Sequence, residues 1–250
     1  MGCTISRDAL LLSAAKEGNA EDVKKLTEGG AHLEFVGVEG RTALHWAATY
    51  GRLAVVQCLC ENGANKEACG EHGRTPLGMA AWNGHLEVVQ YLCEQGVNNE
   101  TRDEEGNTPL HMATQNDRLA VVQYLWKTNN ALIHAEDDRG KSALHMAAVR
   151  GFLSIIQWMC ENGANINAVT KSGRTPLHWA CRYGYLHVVT YLCTQKGIEK
   201  WATDENMRTP LDWAQFKNHY PIIEYLNHYK DDTAAAAATP AETVQNKVYV

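Results

Sequence analysis

The apolar positions along the chain fall into short bursts at helical spacing. Leu53, Val55, Val56 and Leu59 form one burst, and Leu86, Val88, Val89 and Leu92 form the next. Apolar residues three and four apart line one face of a helix. These bursts close on a glycine, as at Gly63, Gly96 and Gly163. A second kind of short helix precedes each burst, such as Leu44 to Tyr50, and it too meets a glycine: Gly18, Gly51, Gly84, Gly151 or Gly184. Glycine just past a helix adopts the left-handed conformation that stops it. Two units carry Asp117 and Asn218 there instead. Asp and Asn are the next-best residues at positive φ, so the same stop is expected. The pattern predicts an all-α chain of paired short helices.

One phrase marks the start of the first helix in six units: Thr42-Ala43-Leu44-His45, Thr75-Pro76-Leu77-Gly78, Thr108-Pro109-Leu110-His111, Ser142-Ala143-Leu144-His145, Thr175-Pro176-Leu177-His178 and Thr209-Pro210-Leu211-Asp212. The steps between first residues are 33, 33, 34, 33 and 34. Thr or Ser suits the N-cap, and Pro suits the first helical position, where no backbone N–H is needed. Stepping back from Thr42 reaches Ala9, and Ala14-Ala15 with Gly18 fits a degenerate first unit. Seven units therefore start near 9, 42, 75, 108, 142, 175 and 209 and fill residues 8–230. The longer steps place an extra residue near Asn129-Asn130 and Lys196-Gly197, in connections, where insertions are tolerated.

This array resembles the ankyrin repeat. The resemblance implies an all-α solenoid of about seven helix-turn-helix units with hairpin fingers between them. Gly40, Gly73, Gly106, Gly140 and Gly173 stand two residues before the next Thr or Ser and would turn each finger; Met207 breaks that pattern. No unit buries its apolar face alone, so neighbours must stack and the ends should be atypical. Asn227 stands where inner units place Cys60, Cys93, Trp126, Cys160 and Cys193, which reads as a C-terminal cap.

The composition fits a packed domain: 45% hydrophobic and 21% charged residues over 250 positions. A net charge of -6 lacks the cationic field that nucleic-acid binding needs. No apolar run reaches the length of a membrane-spanning helix. Four of the eight cysteines, Cys60, Cys93, Cys160 and Cys193, share one column of the second helix. Units stack about 10 Å apart, too far for disulfides between equivalent positions, so these are small apolar fillers. His45, His111, His145 and His178 share another column, and the resemblance implies that they bond to the turn. Two aromatic stripes read as packing: Tyr91, Tyr124, Trp158, Tyr191 and Tyr225, then Trp46, Trp179 and Trp213. No nucleophile elbow, phosphate loop or zinc helix occurs, so no catalytic, cofactor or metal residue is expected.

The resemblance also implies a concave binding face, built from finger tips and first-helix ends. The finger residues are Glu39, Arg41, Glu71, His72, Arg74, Glu104, Glu105, Asn107, Arg139, Lys141 and Arg174. The helix-end residues are Tyr50, Trp82, Asn83, Gln115, Asn116, Arg150, Arg182, Tyr183 and Phe216. Packing does not explain Tyr50, Trp82, Tyr183 and Phe216, and large aromatics and arginines are enriched at binding hot spots. Acidic residues gather around Glu71, Glu104 and Glu105, and basic ones run from Arg139 through Arg182. The expected protein partner is therefore bipolar, its basic end at units three and four and its acidic end at units five and six. The chain itself is expected to be a monomer.

Residues 1–7 form a candidate acylated anchor: Gly2 and Ser6 match the myristoylation pattern, and Cys3 supplies an adjacent palmitoylation site. Residues 231–250 hold five consecutive alanines and a polar stretch, which reads as a flexible tail. It ends in Val248, Tyr249 and Val250, a form suited to a PDZ-type partner. The expected function is a non-enzymatic adaptor tethered to the cytoplasmic face of a membrane. A soluble cytoplasmic inhibitor or regulator is the alternative.

Overall fold

The computed structural model describes residues 6–237, which form fourteen α-helices in seven antiparallel pairs. The pairs are α1 (Arg7–Glu17) with α2 (Ala20–Glu28), α3 (Ala43–Thr49) with α4 (Leu53–Glu61), and α5 (Pro76–Asn83) with α6 (Leu86–Glu94). Next come α7 (Pro109–Gln115) with α8 (Leu119–Thr128), and α9 (Ala143–Arg150) with α10 (Leu153–Glu161). The last two are α11 (Pro176–Tyr183) with α12 (Leu186–Thr194), and α13 (Pro210–Phe216) with α14 (Tyr220–Ala237). The all-helical solenoid expected from the pattern is the observed fold. Helix α14 continues through the first residues of the stretch that composition assigns to a tail.

The odd-numbered helices form an inner row and the even-numbered helices an outer row, and inner neighbours lie closer together than outer ones. Side-chain size explains the difference, because it sets the spacing between helix axes. The inner row meets through Ala47-Ala48, Ala80-Ala81, Ala147-Ala148 and Ala180-Cys181, all buried. The outer row meets through larger groups such as Tyr91, Tyr124 and Trp158, which pack part-buried against the core. A solenoid whose inner spacing is shorter than its outer spacing curves toward the inner row. The core is one continuous band between the rows, with Leu44, Leu77, Leu110, Leu144 and Leu177 repeated down its length. Asn227 is exposed, unlike the part-buried or buried residues of its column, as a cap requires.

The helix stops behave as their sequence predicts. Asp117 and Asn218 sit at φ 57° and 58°, beside glycines at 68° to 92° in the other units. The residue after each stop often adds a tie to the preceding unit. His85 Nε2 bonds Thr49 O at 2.9 Å and His219 Nε2 bonds Arg182 O at 3.1 Å, while Arg52 and Arg118 donate to Lys16 O and Trp82 O. Each satisfies a carbonyl that the end of a first helix leaves open.

The fingers pair backbone to backbone. Glu104 N–H donates to His72 O at 2.9 Å, Asp138 N–H to Glu105 O at 3.1 Å, Lys171 N–H to Arg139 O at 3.1 Å and Glu205 N–H to Ser172 O at 3.2 Å. Met207 keeps the finger turn despite lacking glycine: its φ is 58°, and Asp204 N–H still donates to Arg208 O at 2.9 Å. The Met207 side chain is 76% exposed, so little contact offsets the strained backbone. Met207→Gly is expected to raise stability by about 0.5–1 kcal/mol, less than the full left-handed penalty because glycine gains unfolded-state entropy. A urea titration of both proteins checks this, and a lowered midpoint would show that the side chain holds the turn.

Candidate protein-interaction surface

Two side-chain systems fix the fingers to the first helices. The first is the histidine column. His45 Nδ1 accepts from Thr42 N–H at 3.2 Å and lies 2.9 Å from Thr42 Oγ1, while its Nε2 faces Arg74 O at 3.1 Å. His145 repeats this with Ser142 and Arg174 O, and His178 with Thr175 and Arg208 O. A backbone N–H donating to Nδ1 requires the neutral ring with its proton on Nε2. Each histidine thus caps its own helix and ties it to the next finger. His111 caps Thr108 in the same way, but its buried Nε2 closes no hydrogen bond. Burial pushes His111 and His145 down to about 4, and it lowers His45 and His178 as well.

The second system is a column of aspartates that the sequence pattern did not single out. Asp103 Oδ1 accepts from Glu105 and Asn107 N–H, Asp137 Oδ1 from Arg139 and Lys141 N–H, and Asp204 Oδ1 from Asn206 and Arg208 N–H. Their signal is an acidic residue five positions before the motif Thr or Ser. Burial alone would raise the Asp204 carboxyl. Hydrogen bonds from Arg208 N–H, the Trp213 indole, Asn206 N–H and Arg174 outweigh it and hold the group below the usual carboxylate range.

On this frame the finger residues and first-helix ends line one concave face. Glu39, Glu71, His72, Glu104, Glu105 and Arg139 are exposed at the finger tips. His72 stands between Glu71 and Glu104, at 3.7 and 3.5 Å. Arg41 pairs with Glu39 at 2.9 Å. Asn107 does not face outward: it is buried, donating to Asp103 Oδ2 and accepting from Gln115 Nε2. An amide is short enough to turn back onto its own finger, where Arg or Lys at the same position extends over the groove. Asn83 and Asn116 are half-buried and donate to Met79 O and Met112 O, so they cap their own helices.

Cations and aromatic rings alternate along the groove. Arg41 lies 4.8 Å from the Trp46 ring centre, and Arg74 lies 4.6 Å from Trp82. In the last three units, Lys141 covers Trp179 at 4.8 Å, Arg182 covers Trp213 at 4.6 Å and Arg208 covers Trp213 at 5.2 Å. Tyr50 and Tyr183 stack on Trp46 and Trp179 one turn earlier in their helices, yet stay 40% and 45% exposed. Phe216 is exposed against Trp213, whereas Trp82 is half-buried. A guanidinium or ammonium over a ring face gains electrostatically and keeps its N–H edge available. A recess of about 450 Å³ opens between the fourth and sixth units, with Met146, Val149 and Tyr183 among its walls and Arg139, Lys141 and Arg150 at its edge. Burial pulls the Lys141 ammonium below the usual lysine range, and the nearby Arg139 and Arg182 charges act the same way against Asp137.

The cysteine column packs as expected. Cys60, Cys93, Cys160 and Cys193 are unpaired, and burial pushes each thiol up to about 11. Such thiols are poor nucleophiles. Gly2, Cys3, Val248, Tyr249 and Val250 lie outside the described residues.

The family model for ankyrin repeats matches overlapping stretches at residues 10–103, 71–137, 95–170, 129–204 and 167–236. Comparison with curated proteins gives no match. Among solved structures, the human ASB11 ankyrin repeat domain is 27% identical with a TM-score of 0.73, covering 82% of this chain and 90% of that one. The ankyrin repeat domain of Bcl-3, described as a unique member of the IkappaB protein family, is 30% identical with a TM-score of 0.72, covering 82% of this chain and 92% of that one. Ankyrin repeat domains are typically non-enzymatic modules that bind protein partners. With its repeated caps, fingers and concave face, this chain belongs to the ankyrin-repeat family.

Proposed function

We propose that the chain is a non-enzymatic adaptor that holds a protein partner in its concave groove. The observation that carries this reading is the pair of exposed rings Tyr183 and Phe216, which stand beside cations stacked over the buried Trp179 and Trp213. Ordered aromatics and arginines lose little entropy on binding, so they suit hot spots. In this reading acyl groups on Gly2 and Cys3 tether the array to the cytoplasmic face of a membrane, and tethering raises the effective concentration of groove and partner. Val248, Tyr249 and Val250 would offer a carboxylate-ended strand to a PDZ-type partner.

A photo-crosslinking residue placed at Tyr183 in cells is expected to trap a discrete partner. The same residue at Gln157, on the outer row, is expected to trap none. Equal trapping at both positions would remove the groove from the function. Intact mass of the native protein, before and after hydroxylamine, tests the tether: an unacylated N-terminus would leave a soluble cytoplasmic regulator.

A further inference from the structure

Trp213 and Trp179 hold equivalent positions in consecutive units, but only one of their indole N–H groups has an acceptor. Trp213 Nε1–H donates to Asp204 Oδ2 at 3.0 Å, and the same oxygen accepts from Arg174 Nε at 3.2 Å. One unit earlier, the position matching Asp204 holds Thr170. Its hydroxyl accepts from Arg174 N–H at 3.2 Å and lies 3.1 Å from Ser172 Oγ. The Trp179 indole N–H has no hydrogen-bond partner, on a residue only 8% exposed. A buried donor without an acceptor is unfavourable until a ligand supplies one.

Cations outnumber the one carboxylate, Asp138, in the recess beside that residue. Lys141 stands to Trp179 as Arg174 stands to Trp213, one unit apart. Trp179, Thr170, Lys141, Lys171 and Arg174 line one recess of about 390 Å³. Alongside it, Arg182 lies between Trp179 and Trp213 at 5.5 and 4.6 Å. Among the described residues, neither Arg182 nor Lys141 has a carboxylate within ion-pair distance.

We propose that this recess receives a carboxylate from the bound partner, an Asp or Glu side chain within an extended acidic segment. The Trp179 N–H is closed to solvent in the free chain, so the carboxylate reaches it as the flexible Lys141 side chain swings from the ring to pair with it. It then takes the Trp179 N–H and Lys141 as Asp204 takes the Trp213 N–H and Arg174. Arg182 and Arg208, stacked on Trp213, then receive the carboxylates that follow. The flat two-oxygen geometry of a carboxylate matches the Asp204 precedent, whereas a tetrahedral phosphate is bulkier. The inference rests on the groove reading and specifies the chemistry of the groove's occupant.

The test uses the full chain and a fluorescein-labelled hexaglutamate peptide, with binding read by anisotropy and by the Trp179 indole resonance. Saturable binding that weakens with salt and shifts that resonance is expected. Thr170→Asp and Thr170→Asn each supply an internal acceptor, with and without charge. Both are expected to weaken the peptide at least tenfold while leaving the thermal midpoint unchanged or higher. Arg182→Glu should weaken it at least tenfold, and Glu104→Lys should not. Unchanged binding by both Thr170 variants would overturn the slot. Binding of a phosphoserine peptide in preference to hexaglutamate would overturn the carboxylate. If Tyr183 still traps its partner while hexaglutamate fails to bind, the groove reading stands and this inference falls.

Discussion

Acidification from pH 7 to pH 4 is expected to unfold the array, with most of the loss falling between pH 6.5 and 4. His111 and His145 are held down at about 4, and His45 and His178 are lowered too, all by burial in the neutral form. A free histidine titrates near 6.5. Above that value both folded and unfolded chains hold these rings neutral, and the stability they support is fully present. As pH falls below it, the unfolded chain takes up protons that the folded chain refuses, so stability drops until the folded values are reached. Each of the two strongly shifted rings then costs on the order of 3 kcal/mol, against a typical total of about 5–15 kcal/mol. Asp204 acts lower still: its depressed carboxyl supports the fold above the ordinary carboxylate value and loses that support as pH falls through its own. Urea midpoints measured at half-unit steps from pH 7.5 to 4 give the proton uptake directly. A flat profile down to pH 5 would mean that the rings are charged or exposed, contrary to their hydrogen bonds.

The period, the helix pairs and the left-handed stops were legible because each depends on residues close in sequence. Asp117 and Asn218 are the sharpest cases: both were expected at positive φ, and both adopt it. Met207 was not legible in the same way, since a methionine gives no local reason to turn. Its turn is held by Asp204, which takes two backbone N–H groups, and by Glu205 N–H bonding the neighbouring finger at Ser172 O. Asn107 was expected at the surface with the other residues that precede the motif Thr or Ser. It turned inward because Asp103 and Gln115 converge on it, and that convergence needs the fold. The exposed aromatics were found from their column, but not what covers them. The cation can be the adjacent residue, as Arg182 is for Tyr183 and Lys217 for Phe216. It can also come from a finger, as Arg74 does for Trp82, or from the preceding unit, as Lys16 does for Tyr50, and those contacts need the fold.

Gly140→Ala is expected to destabilise the chain by about 3 kcal/mol, and Gly163→Ala by about 1 kcal/mol. Both glycines have positive φ, 72° and 90°, so an alanine at either carries the left-handed penalty. They differ in what the new methyl group would meet. At Gly163 nothing lies within 4 Å. At Gly140 the added carbon would lie 2.7 Å from Lys171 N, a backbone atom that cannot swing aside as a side chain does. That N–H donates to Arg139 O at 3.1 Å, so relieving the clash parts the two fingers that carry Arg139, Lys141 and Lys171. Those cations line the recess beside Trp179. Gly140→Ala should therefore weaken hexaglutamate binding well beyond its effect on the folded fraction, measured where both variants remain folded. Gly163→Ala, in an outer-row connection, should leave binding at the wild-type value. Equal losses of stability at the two sites would show that φ alone sets the cost. Unchanged binding in Gly140→Ala would show that the cations hold their places without the finger-to-finger hydrogen bond.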